Sequence, residues 1–218
     1  MKTQGFLLVP GFLQEPDIKK LKSEFSRLTE LTAKSCVRHA LDLSEVISAL
    51  ASSPHLLNHL PEGFAPVRCI LFDKTPENNW PVAWHQDLTI AVQKKHPAPG
   101  YHNWSSKAGV THVQPPTELL ERMITARIHL DDTPAENGAL KVTPGTHLSG
   151  KLENDTIPAH TTGQPHTCAC EAGDLLLMKP LILHASDRST QPAHRRIIHI
   201  EYADRTLLHP NLEWHESP

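Results

Sequence analysis

The sequence lacks the features that mark membrane, secreted and nucleic-acid-binding proteins. No run of apolar residues approaches the length that a bilayer-spanning helix requires. The apolar stretch within residues 1–10 is too short for a signal peptide. The net charge of −3 is too small to favour nucleic acid or a membrane surface as a partner. We therefore expect a cytoplasmic protein.

The four cysteines do not form a disulfide framework. Cys168 and Cys170 would share one face of a strand, but two thiols without further ligands do not make a zinc site. We expect free thiols, as in a reducing compartment. The chain is long enough for one domain with a substantial core, and no repeat, low-complexity segment or linker divides residues 1–218.

The hydrophobic pattern predicts a mainly β protein with flanking helices. Apolar residues at three- and four-residue steps after Pro16 predict a helix, and residues 1–62 should form a mainly helical N-terminal flank. Helices followed by many short strands predict a double-stranded β-helix, or jelly roll, of the cupin type. Strands are predicted at Gly5–Pro10, Val67–Phe72, Trp80–Val92, Ile124–Leu130, Ala139–Val142, Leu175–Met178, Leu181–Ala185 and Arg195–Tyr202.

Residues 93–122 interrupt this pattern with many prolines and glycines, which predicts an irregular, lid-like insertion. Between Leu88 and Thr117 there is no Asp or Glu, whereas Lys94, Lys95 and Lys107 lie in this stretch. One interpretation is a mobile lid that closes on a substrate bearing a carboxylate or a phosphate. The other is a solvated loop that happens to lack acids.

The most informative motif is His85-Gln86-Asp87, which a second histidine, His184, follows far downstream. Residues i and i+2 of a strand point to the same face, so one strand end can present His85 and Asp87 to one ion while Gln86 points away. Two imidazoles and one carboxylate suit ferrous iron and leave coordination positions open, as in non-haem iron oxygenases. By itself the His-x-Asp spacing is weak evidence in a chain with 16 histidines, and an isolated His184 would more often be structural.

The order of these motifs resembles the phytanoyl-CoA dioxygenase family of iron(II)- and 2-oxoglutarate-dependent oxygenases. The resemblance covers most of the chain and is most specific at Trp84–Asp87, Asn137–Leu140 and the pair His184 and Arg195. It implies Fe(II) as cofactor, 2-oxoglutarate and O2 as co-substrates, and oxidation of a C–H bond of a small-molecule substrate with release of succinate and CO2. The iron ligands, and so the catalytic residues, that it implies are His85, Asp87 and His184.

One arginine is expected to bind the far carboxylate of 2-oxoglutarate, because a planar guanidinium binds a carboxylate with two hydrogen bonds. Arg195 and Arg196 compete for this role, since only one of two successive strand residues can face the barrel interior. The family resemblance places the cofactor arginine at Arg195. The alternation is not decisive, because His199 and Glu201 would share the face of Arg195, and a solvated arginine pair is the alternative.

Arg127, His129 and Ser186 are further candidates for contacts with 2-oxoglutarate or substrate. Arg127 and His129 share one face of a predicted strand, which could be the barrel interior or the surface. Ser186, two residues after His184, could hydrogen-bond near the site or belong to a turn. Asp87 bears on the reaction type: the related halogenases lack this carboxylate, so its presence favours hydroxylation, or a desaturation or ring closure.

Three other classes of protein remain open. A cupin-type metal-dependent enzyme that does not use 2-oxoglutarate would have the same ligands without needing Arg195. A non-catalytic jelly-roll module would keep only a metal site. A zinc hydrolase is the third class, although the sequence contains no His-Glu-x-x-His motif.

Overall fold

The computed structural model describes residues 1–190 and 193–216. The helices are α1 (Glu15–Thr32), α2 (Ala40–Leu43), α3 (Glu45–Ala51), α4 (Pro54–Leu57), α5 (Thr117–Glu121) and α6 (Ile157–His160). The strands are β1 (Phe6–Val9), β2 (Cys36–Arg38), β3 (Phe64–Lys74), β4 (Val82–His85), β5 (Ile90–Val92), β6 (His102–Lys107), β7 (Val110–Gln114), β8 (Ile124–His129), β9 (Leu140–Thr143), β10 (His166–Cys168), β11 (Leu175–Met178), β12 (Leu183–Ser186) and β13 (Arg195–Asp204). Within the described residues, no helix is both long and apolar enough to cross a bilayer.

The strands form three antiparallel sheets. The largest has the order β1-β11-β8-β13-β3-β2, the second β10-β9-β12-β4, and the third β5-β7-β6. Residues of the first two sheets line one cavity between them. This arrangement confirms the predicted jelly roll with flanking helices.

Both faces of the six-stranded sheet are buried. Successive side chains point to opposite faces, one covered by helices and the other facing the cavity. On β3, Cys69 and Leu71 pack into the main apolar cluster, whereas Ile70 and Phe72 line the cavity. Helices α1 to α4 cover the outer face; α1 contributes Ile18, Leu21, Phe25 and Leu28, which are all buried. Burial of each such side chain contributes about 1.5–3 kcal/mol, so this layer holds the sheet rigid beneath the cavity.

Two predictions about local structure are wrong. The predicted strand Trp80–Val92 is two strands, β4 and β5, which belong to different sheets. The break between them contains Asp87, whose backbone N–H donates to the carbonyl oxygen of Pro180 over 2.9 Å. Asp87 therefore lies just beyond the end of β4, so His85 and Asp87 stand at a strand end, which was one of the predicted positions.

The insertion at residues 93–122 is not irregular, because it contains the hairpin β6–β7. The hairpin turns at Ala108 and Gly109, both of which have positive φ angles of 52° and 82°. Such two-residue turns usually carry Asn-Gly or Asp-Gly, and Ala in the left-handed region is unfavourable by about 1–2 kcal/mol. The Ala-Gly pair therefore gave a weak hairpin signal in the sequence.

Candidate active site

His85, Asp87 and His184 come together in the wall of the cavity. Their ligand atoms all lie within 4.8 Å of one another. Asp87 Oδ1 lies 3.8 Å from His85 Nε2, and Asp87 Oδ2 lies 3.6 Å from His184 Nε2. The three residues that the sequence predicts as iron ligands thus form a single cluster, and their ligand role stays a prediction.

Strand pairing and backbone contacts orient the two histidines. His85 on β4 is the direct cross-strand partner of His184 on β12, and their ring centroids are 4.1 Å apart. In both residues Nδ1 lies 2.8 Å from a backbone carbonyl oxygen two positions earlier, that of Ala83 or Ile182. Because a carbonyl only accepts, Nδ1 carries the proton in each ring and Nε2 keeps its lone pair for a ligand.

The electrostatics of the cluster favour a carboxylate at Asp87 beside a neutral imidazole at His184. Burial raises the pKa of Asp87, but His184, His199 and His85 outweigh it and bring that pKa down to about 2. Burial lowers the pKa of His184 to about 4 against the opposing effect of Asp87. These protonation states are the ones that bind metal ions.

Gln86, predicted to point away from the ion, anchors the motif to the rest of the barrel. Its Nε2 donates to the carbonyl oxygens of Gly150 (2.8 Å) and Leu181 (2.6 Å), and its Oε1 accepts from the N–H of Leu152 (2.8 Å). These three bonds fix the chain between the two ligands, so Gln86 is a positioning residue that the sequence did not identify.

A group of three buried cations, Lys74, Arg127 and Arg195, lies beside the triad. They come from β3, β8 and β13, and their side chains expose 7% or less of their surface. Lys74 and Arg195 are direct cross-strand partners, an arrangement that is destabilising for like charges. Within the described parts of the chain, no carboxylate lies within 4.0 Å of any of the three cations.

These cations have hydrogen-bonding capacity left over. Arg127 Nη1 donates to His199 Nδ1 over 2.9 Å, and Arg195 Nη1 donates to the carbonyl oxygen of Gly138. The Nε atoms of both arginines are buried and have no hydrogen-bond partner among the described residues. Burial and the guanidinium of Arg127 lower the pKa of Arg195 to about 9. Buried donors normally have a hydrogen-bond partner, and an anion would both accept from these donors and balance their charge.

Lys74 is the functional candidate that the sequence reasoning missed. Its Nζ donates to Ser186 Oγ over 3.2 Å and to the carbonyl oxygen of Asp187 over 2.8 Å. Ser186 therefore holds the lysine that faces Arg195, rather than serving only a turn. Alternation along β3 from Arg68 would have placed Lys74 on the cavity face, had the predicted strand not ended at Phe72.

The neighbouring residue Arg196 points the other way. Its guanidinium donates two hydrogen bonds to the carboxylate of Asp131, over 2.8 and 2.7 Å. Of the competing pair, Arg195 faces the cavity and Arg196 does not. His129 is fully buried, which excludes the surface alternative for the strand Arg127–His129, and its Nδ1 lies 3.1 Å from Thr133 Oγ1.

The cavity of about 360 Å³ continues away from these cations to a second charged region. There Arg38 from β2, Arg68 from β3 and Lys107 from β6 line the wall, together with Glu201. Arg68 Nη1 pairs with Glu201 Oε1 over 2.9 Å. All three lysines expected in a lid are exposed, and of these only Lys107 lines the cavity.

The residues present fit ferrous iron and 2-oxoglutarate. The donor set is two imidazole nitrogens and one carboxylate, and Asp87 Oδ2 is buried without a hydrogen-bond partner in the described chain. This set would hold Fe(II) with positions to spare. A carboxylate placed between Arg127 and Arg195 would satisfy their free Nε groups.

Solved structures of similar fold include several enzymes with bound iron or 2-oxoglutarate. The epimerase SnoN from nogalamycin biosynthesis, in complex with Fe3+, alpha ketoglutarate and nogalamycin RO, has a TM-score of 0.74 at 17% identity, over 94% of this chain and 81% of SnoN. The carbocyclase SnoK has a TM-score of 0.71 at 19% identity, over 94% and 81%. HygX from Streptomyces hygroscopicus, with nickel and 2-oxoglutarate bound, has a TM-score of 0.66 at 16% identity, over 93% and 83%.

At these identities the similarity establishes the fold. The cofactors predicted from the sequence agree with the iron and 2-oxoglutarate bound in these neighbours. A comparison with curated protein sequences gives no match. The sequence profile of the phytanoyl-CoA dioxygenase family matches residues 1–197 of the 218, and the chain belongs to this family.

Proposed function

We propose that this protein is an Fe(II)- and 2-oxoglutarate-dependent dioxygenase that oxidises a C–H bond of a small molecule, most simply by hydroxylation. The observation that carries the proposal is the juxtaposition, in one cavity, of the His85–Asp87–His184 cluster with the uncompensated cations Arg127 and Arg195; Lys74 lies behind the cavity wall and is held by Ser186. A metal site alone would not need this second feature. Two or three buried cations persist in a folded protein when a bound anion balances them.

Each residue has a defined role in this proposal. His85, Asp87 and His184 hold the metal ion through Nε2, a carboxylate oxygen and Nε2. Arg195 and Arg127 bind the far carboxylate of 2-oxoglutarate, with Lys74 adding positive charge behind Ser186. When bound, iron and 2-oxoglutarate would supply the activation of O2, with one oxygen atom going to succinate and the other to the oxidised substrate as CO2 is released; the protein contributes binding, orientation and exclusion of water.

Asp87 supports hydroxylation over halogenation, because a carboxylate ligand occupies the position that a halide would need. The neighbours with similar folds include an epimerase and a carbocyclase. Both hydroxylation and such outcomes begin with abstraction of a hydrogen atom from carbon. The apolar side chains Ile70, Phe72 and Leu88, which line the cavity, would hold the carbon skeleton at the metal.

The test measures succinate from 2-oxoglutarate in the presence of Fe(II), ascorbate and O2, together with the affinity for Ni(II) as a non-reactive probe. We expect His85→Ala, Asp87→Ala and His184→Ala each to abolish succinate formation and weaken Ni(II) binding while circular dichroism stays native. His96→Ala is the matched control, because His96 is exposed and does not line the cavity. Near-wild-type succinate formation by any of the three variants, at modest iron excess, would remove that residue from the ligand set.

A further inference from the structure

The far end of the cavity has more positive charge than the proposed cofactors can balance. Five cationic side chains line the cavity, against the two carboxylates of Asp87 and Glu201, an excess of three positive charges. Ferrous iron would add two positive charges and 2-oxoglutarate two negative ones, so the excess of three remains. The cationic lining residues are Arg38, Arg68, Lys107, Arg127 and Arg195.

The cations form two groups. Lys74 and Arg195 pair at one end of a face of β3, with Arg127 on β8 level with Ile70, whereas Arg68 lies at the other end, with Arg38 on the neighbouring strand β2. Arg68, Ile70, Phe72 and Lys74 alternate along β3, and the first three line the cavity. Six residues separate Arg68 from Lys74, which corresponds to roughly 20 Å along a strand. One molecule of 2-oxoglutarate bound at Arg195 cannot also reach Arg68, so the second group is available to another ligand.

The second group has free hydrogen-bonding capacity. In the described part of the chain, neither Arg38 nor Lys107 has an ion-pair partner or a side-chain hydrogen bond. Arg68 uses only Nη1, which donates to Glu201 and to the carbonyl oxygen of Thr89, leaving Nη2 and Nε without a partner. Burial, followed by the nearby charges of Arg68 and Arg38, lowers the pKa of Lys107, so these cations repel one another.

Three different elements bring these side chains together. Arg38 lies on the edge strand β2 as the cross-strand partner of Ile70, and Arg68 lies two residues earlier on β3. Lys107 is the last residue of β6, immediately before the turn at Ala108 and Gly109. The left-handed conformation of both turn residues closes the hairpin between Lys107 and Val110, and Lys107 lines the cavity.

We infer that Arg38, Lys107 and the free side of Arg68 form a subsite for an anionic group, a carboxylate or a phosphate monoester, on the prime substrate. The apolar residues Ile70, Phe72 and Leu88 line the same cavity as this subsite and the metal ligands. The substrate is therefore a small acid with a short apolar segment, bound by its anionic end and oxidised along that segment. This inference rests on the proposed function and specifies its substrate class.

The experiment measures binding and needs no turnover. Protein loaded with Ni(II) and saturating 2-oxoglutarate is titrated calorimetrically with small branched and aromatic carboxylic acids and phosphate monoesters, each paired with its neutral carboxamide or alcohol and with a matching amine. We expect the anionic member of at least one pair to bind tighter than its neutral partner. Arg38→Gln and Lys107→Gln should each weaken that binding about tenfold, the loss expected for one hydrogen bond to a charged group.

Lys95→Gln is the matched control, since Lys95 belongs to the same insertion but is exposed and outside the cavity. It should bind the anion as the wild type does. Equal binding of anionic and neutral partners across the panel, tighter binding of amines, or anion binding that is unchanged in both Arg38→Gln and Lys107→Gln would overturn the subsite. Which of the carboxylate and phosphate arms responds identifies the anionic group.

A second measurement separates this inference from the proposed function. Anaerobic Fe(II) and 2-oxoglutarate form a complex with a charge-transfer absorption, which the wild type should display. Its absence would refute the proposed function, whereas its presence without any anion preference would refute only the subsite. Arg38→Gln and Lys107→Gln should form the complex with wild-type 2-oxoglutarate affinity, and loss of it in both would show that the cavity does not have two separate cation sites.

Discussion

Replacement of Arg195 by Gln should stabilise the protein without cofactors and at the same time weaken 2-oxoglutarate binding. In the structure Arg195 is 4% exposed, faces Lys74 across the strand pair and has no carboxylate partner within the described residues. Its positive charge therefore destabilises the fold unless a bound anion balances it. Few single substitutions are expected to move stability and ligand affinity in opposite directions.

The magnitudes follow from the environment of Arg195. Burial and the charge of Arg127 lower the pKa of Arg195 from 12.5 to about 9, which corresponds to roughly 5 kcal/mol of destabilisation of the charged form. Losing the hydrogen bond to Gly138 offsets part of the gain. We expect a net increase on the order of 1–3 kcal/mol in the free energy of unfolding, as when other buried charges are replaced. The affinity for 2-oxoglutarate should fall about 30-fold or more, from a loss of at least ~2 kcal/mol.

The assay combines urea unfolding of the metal-free protein with 2-oxoglutarate titration of the Ni(II)-loaded protein. Arg196→Gln is the matched control, because it removes two hydrogen bonds to Asp131 and leaves the cavity unchanged. This control should lower stability and keep the affinity for 2-oxoglutarate. If Arg195→Gln instead destabilises the protein and retains the affinity, the buried cations are not an anion site.

Three further predictions concern backbone strain and pH. Gly138→Ala should lower stability by about 1–3 kcal/mol, since Gly138 has φ +66° and an added Cβ would lie 2.7 Å from the carbonyl oxygen of Asp187. The same variant should also weaken 2-oxoglutarate binding, because the carbonyl oxygen of Asp187 accepts a hydrogen bond from Lys74. Thermal melts measure the stability and titrations measure the affinity; an unchanged affinity would contradict the expected effect on binding. Burial, Arg195 and Arg127 lower the pKa of Lys74 to about 7, so Lys74 should take up a proton when a dianion binds beside it. Calorimetry of 2-oxoglutarate binding at pH 8, in two buffers of different ionisation enthalpy, should detect this proton uptake. Binding without proton uptake would contradict the reasoning. Burial raises the pKa of Glu216 from 4.5 to about 7, so its stabilising contribution is complete below pH 4.5 and is lost as the pH rises through 7. Relative to Glu216→Gln, wild-type stability in urea should therefore fall by at most roughly 3 kcal/mol between pH 5 and 8, and a constant difference would contradict the assignment.

The family and the fold class were predictable from the sequence, as were the three residues of the cluster that we propose to bind metal. Helix α1 repeats apolar residues with the period of a helix, and most strands are short apolar runs between turn residues. His85 and Asp87 are separated by one residue, so local geometry brings them together. His184 was placed with them through the order of motifs shared with the family.

Only the tertiary structure decided which face of β13 carries Arg195. Strand β13 is buried on both faces: Ile198 and Ile200 pack under the helices, while Ile197 and His199 lie on the cavity side. A strand that is buried on both faces shows no alternation between polar and apolar residues, and its sequence therefore does not reveal which face is the interior.

The two cation groups could be recognised only from the register between strands. Lys74 and Arg195 are 121 positions apart and meet because β3 and β13 pair in one specific register, and Arg38 and Lys107 reach the same cavity from different sheets. In the sequence each is a single charged residue of the kind that usually lies in solvent. Local sequence determined which elements form and which motif can bind a metal. The tertiary structure decided which charges share a cavity, because strand pairing joins residues that no periodic pattern of the chain relates.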